Sequence, residues 1–477
     1  MKSVTATNNP RTVLLTGAPG FLGKVALYEL MRRKEELNIA GVVVVVRARG
    51  SRSAEERFRK DTVTSPCFTA LPAGWDSIVK VLDGDLATPG FGTSDSDRVL
   101  LADVTHVVHS AAAVSFTLPG PVAANANITT SINLLEAVKA CPKLERIVYV
   151  STAYVTPHHD GKIVEALVPL PKPATELYAL LQEGKLKDEE ILAITGHPNT
   201  YTMTKTVAEH IMVERRGSVP LTIVRPSIIS ASLQHPMPAW IDSVAGFGAF
   251  AMLLGLGHLR AVIGHPDARL DLIPVDEVSR CVLDEMVQDE DGVTVRHSVA
   301  GKSRAPTVRD SWGEIQRHFA QNPVQRRPVM GYLGPAGSAF QLADMMHHRV
   351  PMALAGVGSP VRKRQAQKLA SRLTYLNEVF PYFTTRTFDF ELSPRQKEPF
   401  IEGFNSREYV VMICRGVSRH LLQQHDDEWV LSGRSHIAHG SDIKWVWRQP
   451  GTAIVRFGVW LTTKTLRRIA DSITVDV

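Results

Sequence analysis

The stretch Thr16-Gly17-Ala18-Pro19-Gly20-Phe21-Leu22-Gly23 decides how the rest of the chain reads. It follows the apolar run Thr12–Leu15 and opens an amphipathic pattern over Phe21–Leu37. Strand, glycine turn and helix start, in that order, make a cradle for an anion. Glycine permits the tight turn, and the helix start points free N–H groups and a positive dipole end at a pyrophosphate. Gly17, Gly20 and Gly23 are the glycines of that turn.

Roughly 180 residues downstream the chain reads Tyr201-Thr202-Met203-Thr204-Lys205. Residues four apart share a helix face. A free phenol titrates near 10, which makes it a poor acid–base group at neutral pH. A neighbouring ammonium favours the phenolate. Tyr201 could then give a proton to a carbonyl oxygen while hydride arrives at carbon. Lys205 could also hydrogen-bond the nicotinamide ribose. Tyr-x-x-x-Lys spacing is common by chance; behind a dinucleotide cradle it describes hydride transfer to a carbonyl.

Between the two motifs, short apolar runs alternate with helical patterns. Gly41–Val46, Ile78–Leu82, Val104–His109, Glu145–Val150 and Leu221–Val224 read as strands. Strands alternating with helices predict an α/β fold, a doubly wound, Rossmann-like parallel sheet. The unbroken valines of Gly41–Val46 fit a strand covered on both faces. Thr156–Pro198 reads as an excursion from the sheet, with Pro169, Pro171 and Pro173 ahead of a charged helical stretch. A second excursion spans about 226–310. A Pro/Gly-rich joint at Val350–Ser359 precedes Arg362-Lys363-Arg364. The expected division is therefore a reductase domain over 1–355 and a smaller, mostly helical C-terminal domain over 356–477.

The second strand ends Val46-Arg47-Ala48-Arg49, where an NAD-specific site would usually carry an acid on the ribose 2′-hydroxyl. Cations there suit a 2′-phosphate and point to NADPH, although a merely solvated strand end gives the same pattern. Asp85, in Gly84-Asp85-Leu86, reads either as an acceptor for the adenine amino group or as a turn cap. Tyr149-Val150-Ser151-Thr152-Ala153-Tyr154 ends a strand at the carboxyl edge, where ligands bind in such sheets. Thr152 is the hydroxyl expected to hold the substrate oxygen, in preference to Ser151. Asn127 reads as the holder of a proton-relay water or as a packing amide.

These segments resemble the extended short-chain dehydrogenase/reductase superfamily and, more narrowly, the alcohol-forming fatty acyl-CoA reductases. Thr16–Lys24 is similar to the family's cofactor loop. Val46–Phe58 is similar to its strand-end arginine and following Ser-Ala-Glu-Glu-Arg. His109-Ser110-Ala111-Ala112 resembles its fourth-strand signature. Pro238-Ala239-Trp240-Ile241-Asp242 and Ile273-Pro274-Val275-Asp276 resemble its substrate-domain signatures, and Phe383–Leu422 its C-terminal domain. Pro19 stands where the family often has Thr, and Thr130 where Gly is usual. The resemblance implies Thr152, Tyr201 and Lys205 as catalytic residues with Asn127 as helper. It also implies NADPH as donor and a long-chain acyl thioester as substrate. The cofactor contacts expected over these segments are Gly17, Pro19, Gly20, Phe21, Leu22 and Gly23, then Arg47, Arg49 and Arg57. Asp85, Leu86, Ser110, Ala111, Ala112, Tyr201, Lys205 and Pro226 complete them. Alternatives on the same fold are a carrier-protein thioester reductase and a sterol or nucleotide-sugar dehydrogenase.

Bulk properties agree with this reading. The chain has 477 residues, 44% hydrophobic and 21% charged, which is ordinary for a globular protein of two or more domains. Cys67, Cys141, Cys281 and Cys414 show no metal or disulfide spacing, so no metal is expected and the setting is a reducing, cytoplasmic one. The polar start Met1–Arg11 shows no leader pattern. A net charge of +6 suits anionic partners such as a phosphorylated cofactor, CoA, an acyl carrier protein or an anionic membrane. It follows no nucleic-acid motif. Ser243–Gly257 is apolar but too short and glycine-rich to span a bilayer, so it reads as part of an acyl tunnel or as core. In the tail, Trp445, Trp447, Phe457 and Trp460 alternate with Lys444, Arg448, Arg456, Lys464, Arg467 and Arg468. That pattern suits peripheral contact with a membrane interface or a terminal helix docked on the body.

Overall fold

The computed structural model describes residues 9–324, 328, 331–355, 359–392 and 400–424. The aromatic and basic tail lies outside the described residues. Seven strands form one parallel sheet: β1 (Arg11–Thr16), β2 (Ile39–Val46), β3 (Val79–Asp83), β4 (His106–His109), β5 (Arg146–Val150), β6 (Leu221–Pro226) and β7 (Val293–Ser298). In space they run β7-β6-β5-β4-β1-β2-β3. The order reverses between β1 and β4, and dinucleotides bind in the crevice beyond the carboxyl ends at that point.

The sheet is covered on both faces, and β2 shows why its sequence is unbroken valine. Successive strand side chains point to opposite faces. Val42, Val44 and Val46 join Val13, Leu15, Val148 and Val150 in one core. Helices α1 (Phe21–Arg32) and α4 (Val275–Met286) close that face. Val43 and Val45 join Leu14, Val107, Ile147 and Tyr149 in the other, closed by α2 (Thr130–Val138) and α3 (Thr200–Arg215). Asn199 starts α3 by accepting the Thr202 N–H at 2.9 Å, a side-chain N-cap.

β7 lies inside the stretch read above as a substrate excursion. Its sequence, Val293-Thr294-Val295-Arg296-His297-Ser298, carries polar residues because it is an edge strand with its first two residues only half-buried. The compact unit built on the sheet comprises residues up to Ala249, then Arg269–Thr307 and Arg386–Gly416. Its last segment adds Asp389–Phe390 in parallel to Lys162–Ile163 and donates the Tyr409 hydroxyl to the Ala231 carbonyl at 2.6 Å.

A second unit gathers Phe250–Ala268, Val308–Thr385 and the described residues from Val417 to 424. Here Phe250 stacks on Phe380 with ring centroids 5.5 Å apart. The Phe319 ring stands 2.3 Å from where a Cβ on Gly255 would be, so only glycine fits. Core packing is therefore the reading that describes Phe250–Gly255.

Leu15 is fully buried in the central strand. Leu15→Ala should cost roughly 2–5 kcal/mol, through lost transfer energy and the cavity left behind. Urea denaturation should show a lower midpoint with an unchanged slope; a loss under 1 kcal/mol would mean the site collapses around the gap.

Candidate active site

The three glycines of the cradle do three different jobs. Gly17 has φ +76°, and a Cβ there would meet the Ala111 N and Ser110 Oγ at 2.9 Å. Gly23 packs α1 onto the turn, where a Cβ would fall 2.0 Å from the Gly17 carbonyl oxygen. Gly20 is exposed and its missing Cβ would meet only the Gly17 oxygen at 3.2 Å, so its outer side is open. The helix start at Phe21, Leu22 and Gly23 has no side-chain cap among the described residues. First-turn N–H groups have no acceptor within their own helix. The cradle therefore fits a pyrophosphate. Pro19 sits on the turn, and Phe21 and Leu22 pack their sides against the core.

At the end of β2, Arg47 donates Nη1 to Asp85 Oδ2 at 2.9 Å. Asp85 accepts the Ala87 N–H through its other oxygen at 3.0 Å. Partial burial pushes its carboxyl up, but the Arg47 hydrogen bond and the Ala87 N–H outweigh this and leave it below the usual range. The two residues read separately from sequence thus form one pair. The Arg57 guanidinium holds the Arg47 carbonyl, and Arg49 is exposed, its backbone paired with Arg52. Leu86 packs on the core and its carbonyl accepts from Asn133 at 2.9 Å.

The β4 exit is tied to the cradle. Ser110 Oγ donates to the Thr16 carbonyl at 2.7 Å, and the Ala111 N–H reaches Thr16 Oγ1 at 3.2 Å. Ala112 follows in the same half-buried loop. Asn127 lies on a π-helical turn, Asn125–Thr129. Its Oδ1 accepts the Ala113 N–H at 2.8 Å, and its Nδ2 donates to the Ala113 carbonyl at 3.2 Å and to Thr204 Oγ1 at 3.0 Å. The amide clamps the β4 loop to α3.

Tyr201, Lys205 and Thr152 come together at the carboxyl end of β5. Thr152 is buried; its hydroxyl lies 3.5 Å from the Pro226 carbonyl oxygen and 3.4 Å from the Tyr154 N–H, and it also bonds the Tyr201 phenol. Ser151 Oγ is buried too, with no hydrogen-bond partner among the described residues. The Lys205 ammonium donates to the Val150 carbonyl at 2.7 Å and lies 4.3 Å from the centre of the Tyr149 ring. Burial pulls its pKa down to about 7, with the Glu209 carboxylate opposing. Burial pushes the Tyr201 phenol up to about 12, against a lowering by the Thr152 hydroxyl. Burial thus favours the neutral phenol over the phenolate. That is the state a proton donor needs.

Sequence reasoning missed the supports of this group. Glu209, one turn beyond Lys205, takes both Arg225 Nε at 2.9 Å and Nη2 at 2.6 Å, with both side chains fully buried. Lys24, one residue past the cradle, pairs with Asp242 at 2.7 Å. Asp271 gathers Ser227 Oγ and the N–H groups of Ala300 and Gly301. Asp276 takes the N–H groups of Leu233, Gln234 and His235. Periodicity carries no sign of these pairings. Only the family-like segments around Asp242 and Asp276 hinted at them.

A switch-point crevice with an open glycine cradle on one side and a Thr, Tyr and Lys group on the other defines a nicotinamide-dinucleotide oxidoreductase of the extended short-chain type. Residues 15–282 match the NAD-binding family described as "Male sterility protein", and the chain belongs to that family. It is 26% identical to human fatty acyl-CoA reductase 2, over 89% of this chain and 87% of that protein. It is 28% identical to mouse fatty acyl-CoA reductase 1, over 87% and 85%. The fold is shared with the terminal R domain from the myxalamid PKS-NRPS biosynthetic pathway, at TM-score 0.62 and 21% identity over 88% of this chain and 94% of that one. It is also shared with the PhqB reductase domain from Penicillium fellutanum, at TM-score 0.55 and 15% identity over 88% and 96%.

The Lys205 shift has a stability consequence. The folded side chain titrates near 7 and the unfolded one near 10.5. Between these values the unfolded chain holds the extra proton, so the penalty of burying Lys205 is full below pH 7 and fades as pH rises toward 10.5. Lys205→Met should raise the melting temperature at pH 6 and give a much smaller gain at pH 10, the difference scaling as about 1.4 kcal/mol per pKa unit. Calorimetry at the two pH values checks this; an equal gain at both would show that the ammonium is not desolvated.

Proposed function

We propose that this protein reduces long-chain fatty acyl-CoA to the fatty alcohol, through the aldehyde, with two equivalents of NADPH. The observation that carries the reading is the placing of the Tyr201 phenol beside the Thr152 hydroxyl, with Lys205 buried one turn along α3. The acyl-CoA part is supported by the similarity, across most of the chain, to proteins named fatty acyl-CoA reductases. The preference for the 2′-phosphorylated cofactor is supported by Arg47, Arg49 and Arg57 at the end of β2.

Gly20 and the α1 start would hold the pyrophosphate, and NADPH, when bound, supplies hydride. The substrate carbonyl oxygen fits between the hydroxyls of Thr152 and Tyr201. Tyr201 gives its proton to that oxygen as the carbonyl carbon becomes tetrahedral. The resulting hemithioacetal loses CoA thiol, its own hydroxyl proton passing to sulfur, and an aldehyde remains. Reprotonated Tyr201 then serves the aldehyde in the same way. The Lys205 ammonium offsets charge that develops on Tyr201 oxygen. The unit built on the sheet would carry this chemistry. Each buried methylene contributes roughly 0.8 kcal/mol, enough to retain the aldehyde between the two reductions.

Purified protein with NADPH and a panel of acyl-CoAs, analysed by gas chromatography, should yield alcohol with about two NADPH consumed per thioester. Aldehyde accumulating at one NADPH per thioester would overturn the alcohol-forming reading. Tyr201→Phe should lose at least ~100-fold in turnover while still binding NADPH. Near-normal turnover would remove Tyr201 from the reaction.

Cofactor choice is tested separately. Arg47→Asp should weaken NADPH use at least tenfold more than NADH use, read from kcat/KM with each cofactor. Equal use of both by the unsubstituted protein would count against the arginine assignment.

A further inference from the structure

Half of the large apolar side chains that stand exposed among the described residues lie in one short region, which makes a patch and not scatter. They are Leu342 (50% exposed), Met345 (44%), Met346 (40%), Val350 (43%), Leu354 (45%) and Val361 (65%). The first five lie on a continuous helical run, Ser338–Asp344, Met345–Arg349 and Val350–Ala355. The middle piece is a π turn, whose bonds span five residues. It brings Val350 into line above Met345 and so keeps Leu342, Met346, Val350 and Leu354 on one face. The opposite face is anchored within the same unit. His348 Nε2 accepts the Arg260 N–H at 2.9 Å, and His348 Nδ1 bonds Asp344 at 2.8 Å. The apolar stripe therefore points outward on a pinned helix.

The next helix, Pro360–Val379, packs against this run. Val361, Arg364, Lys368 and Arg372 recur at helical spacing on one side, while Ala366, Leu373 and Leu376 are buried on the other. Arg364, Lys368 and Arg372 are exposed and have no acidic partner among the described residues. Glu378 is the single acid of that helix. An apolar stripe flanked by uncompensated cations matches the interfacial layer of an anionic bilayer, where methyl and thioether groups sit among headgroups and cations face phosphates. Among the described residues no helix is long and apolar enough to cross a membrane.

We propose that the surface formed by Ser338–Ala355 and Pro360–Val379 docks on an anionic lipid bilayer. This surface is made of residues other than the catalytic ones. It stands independently of the acyl-CoA reading, although a bilayer surface is where long-chain substrates and alcohols collect.

The test is co-sedimentation of the full chain with vesicles of phosphatidylcholine alone and of phosphatidylcholine with 30% phosphatidylserine. Binding to the second and at least tenfold less to the first is expected. Leu342→Glu with Met346→Glu, and separately Arg364→Glu with Lys368→Glu, should each cut binding at least tenfold, with unchanged melting temperature and unchanged turnover of dispersed short-chain acyl-CoA. Agreement of the two variants guards against misfolding of either. Undiminished binding by both would assign the contact to another surface and overturn the proposal. So would failure of the intact chain to bind, or a variant whose effect is to dissociate a dimer in light scattering, which would make the patch a contact between copies.

Discussion

The buried ion pair between Glu209 and Arg225 is the constraint on which the site depends. Glu209 belongs to α3, and Arg225 is the penultimate residue of β6, just before Pro226. Two parallel hydrogen bonds at 2.9 and 2.6 Å fix the rotation of α3 about its own axis and its height along the sheet. Removing one partner of such a pair typically costs about 3–5 kcal/mol, because the other charge is left buried alone. With α3 fixed, Lys205 one turn earlier reaches the Val150 carbonyl, and Tyr201 one turn before that reaches Thr152. Arg225 also holds the Ala166 carbonyl at 2.8 Å, so the excursion after β5 is secured by the same guanidinium.

That pair also sets the electrostatics. A buried ammonium is disfavoured, and Lys205 is held only partly in its charged form by the Glu209 carboxylate. Glu209 shares its charge with Arg225, which limits the support it gives. Burial pushes the phenol of Tyr201, packed edge-on against Phe116, up to about 12. Burial, hydrogen bonding and charge thus set a neutral phenol near a buried lysine, the pair the proposed hydride addition would use.

Three further carboxylates, Asp271, Asp276 and Asp242, join distant segments of the same unit. Asp271 ties the loop after β6 to the loop after β7. Asp276, in the first turn of α4, gathers three successive N–H groups of the 233–235 loop. Asp242 reaches back to Lys24 beside the cofactor cradle, across 218 positions of sequence. Each meets donors that would otherwise be orphaned in a buried loop. Together they tie the loops after β6 and β7 and the segment at Asp242 to α4 and to the start of α1.

The sequence by itself determined the α/β class, six of the seven sheet strands and the glycine cradle. Hydrophobic periodicity and glycine placement are local signals, and residues 12–46 carry them densely. It also determined that Tyr201 and Lys205 share a helix face, since spacing alone decides that. Only the tertiary structure decided the rest. β7 escaped because an edge strand keeps polar residues on its half-exposed face, as Thr294 and Arg296 do. Arg47 and Asp85 read as separate contacts because nothing local says that the ends of β2 and β3 lie side by side. The upward push on the Tyr201 phenol was not legible because burial is a property of the packed interior and not of residue spacing. Glu209 with Arg225 and Lys24 with Asp242 were illegible for the same reason: an ion pair is a fact about distance in space, and the chain order records only distance along itself.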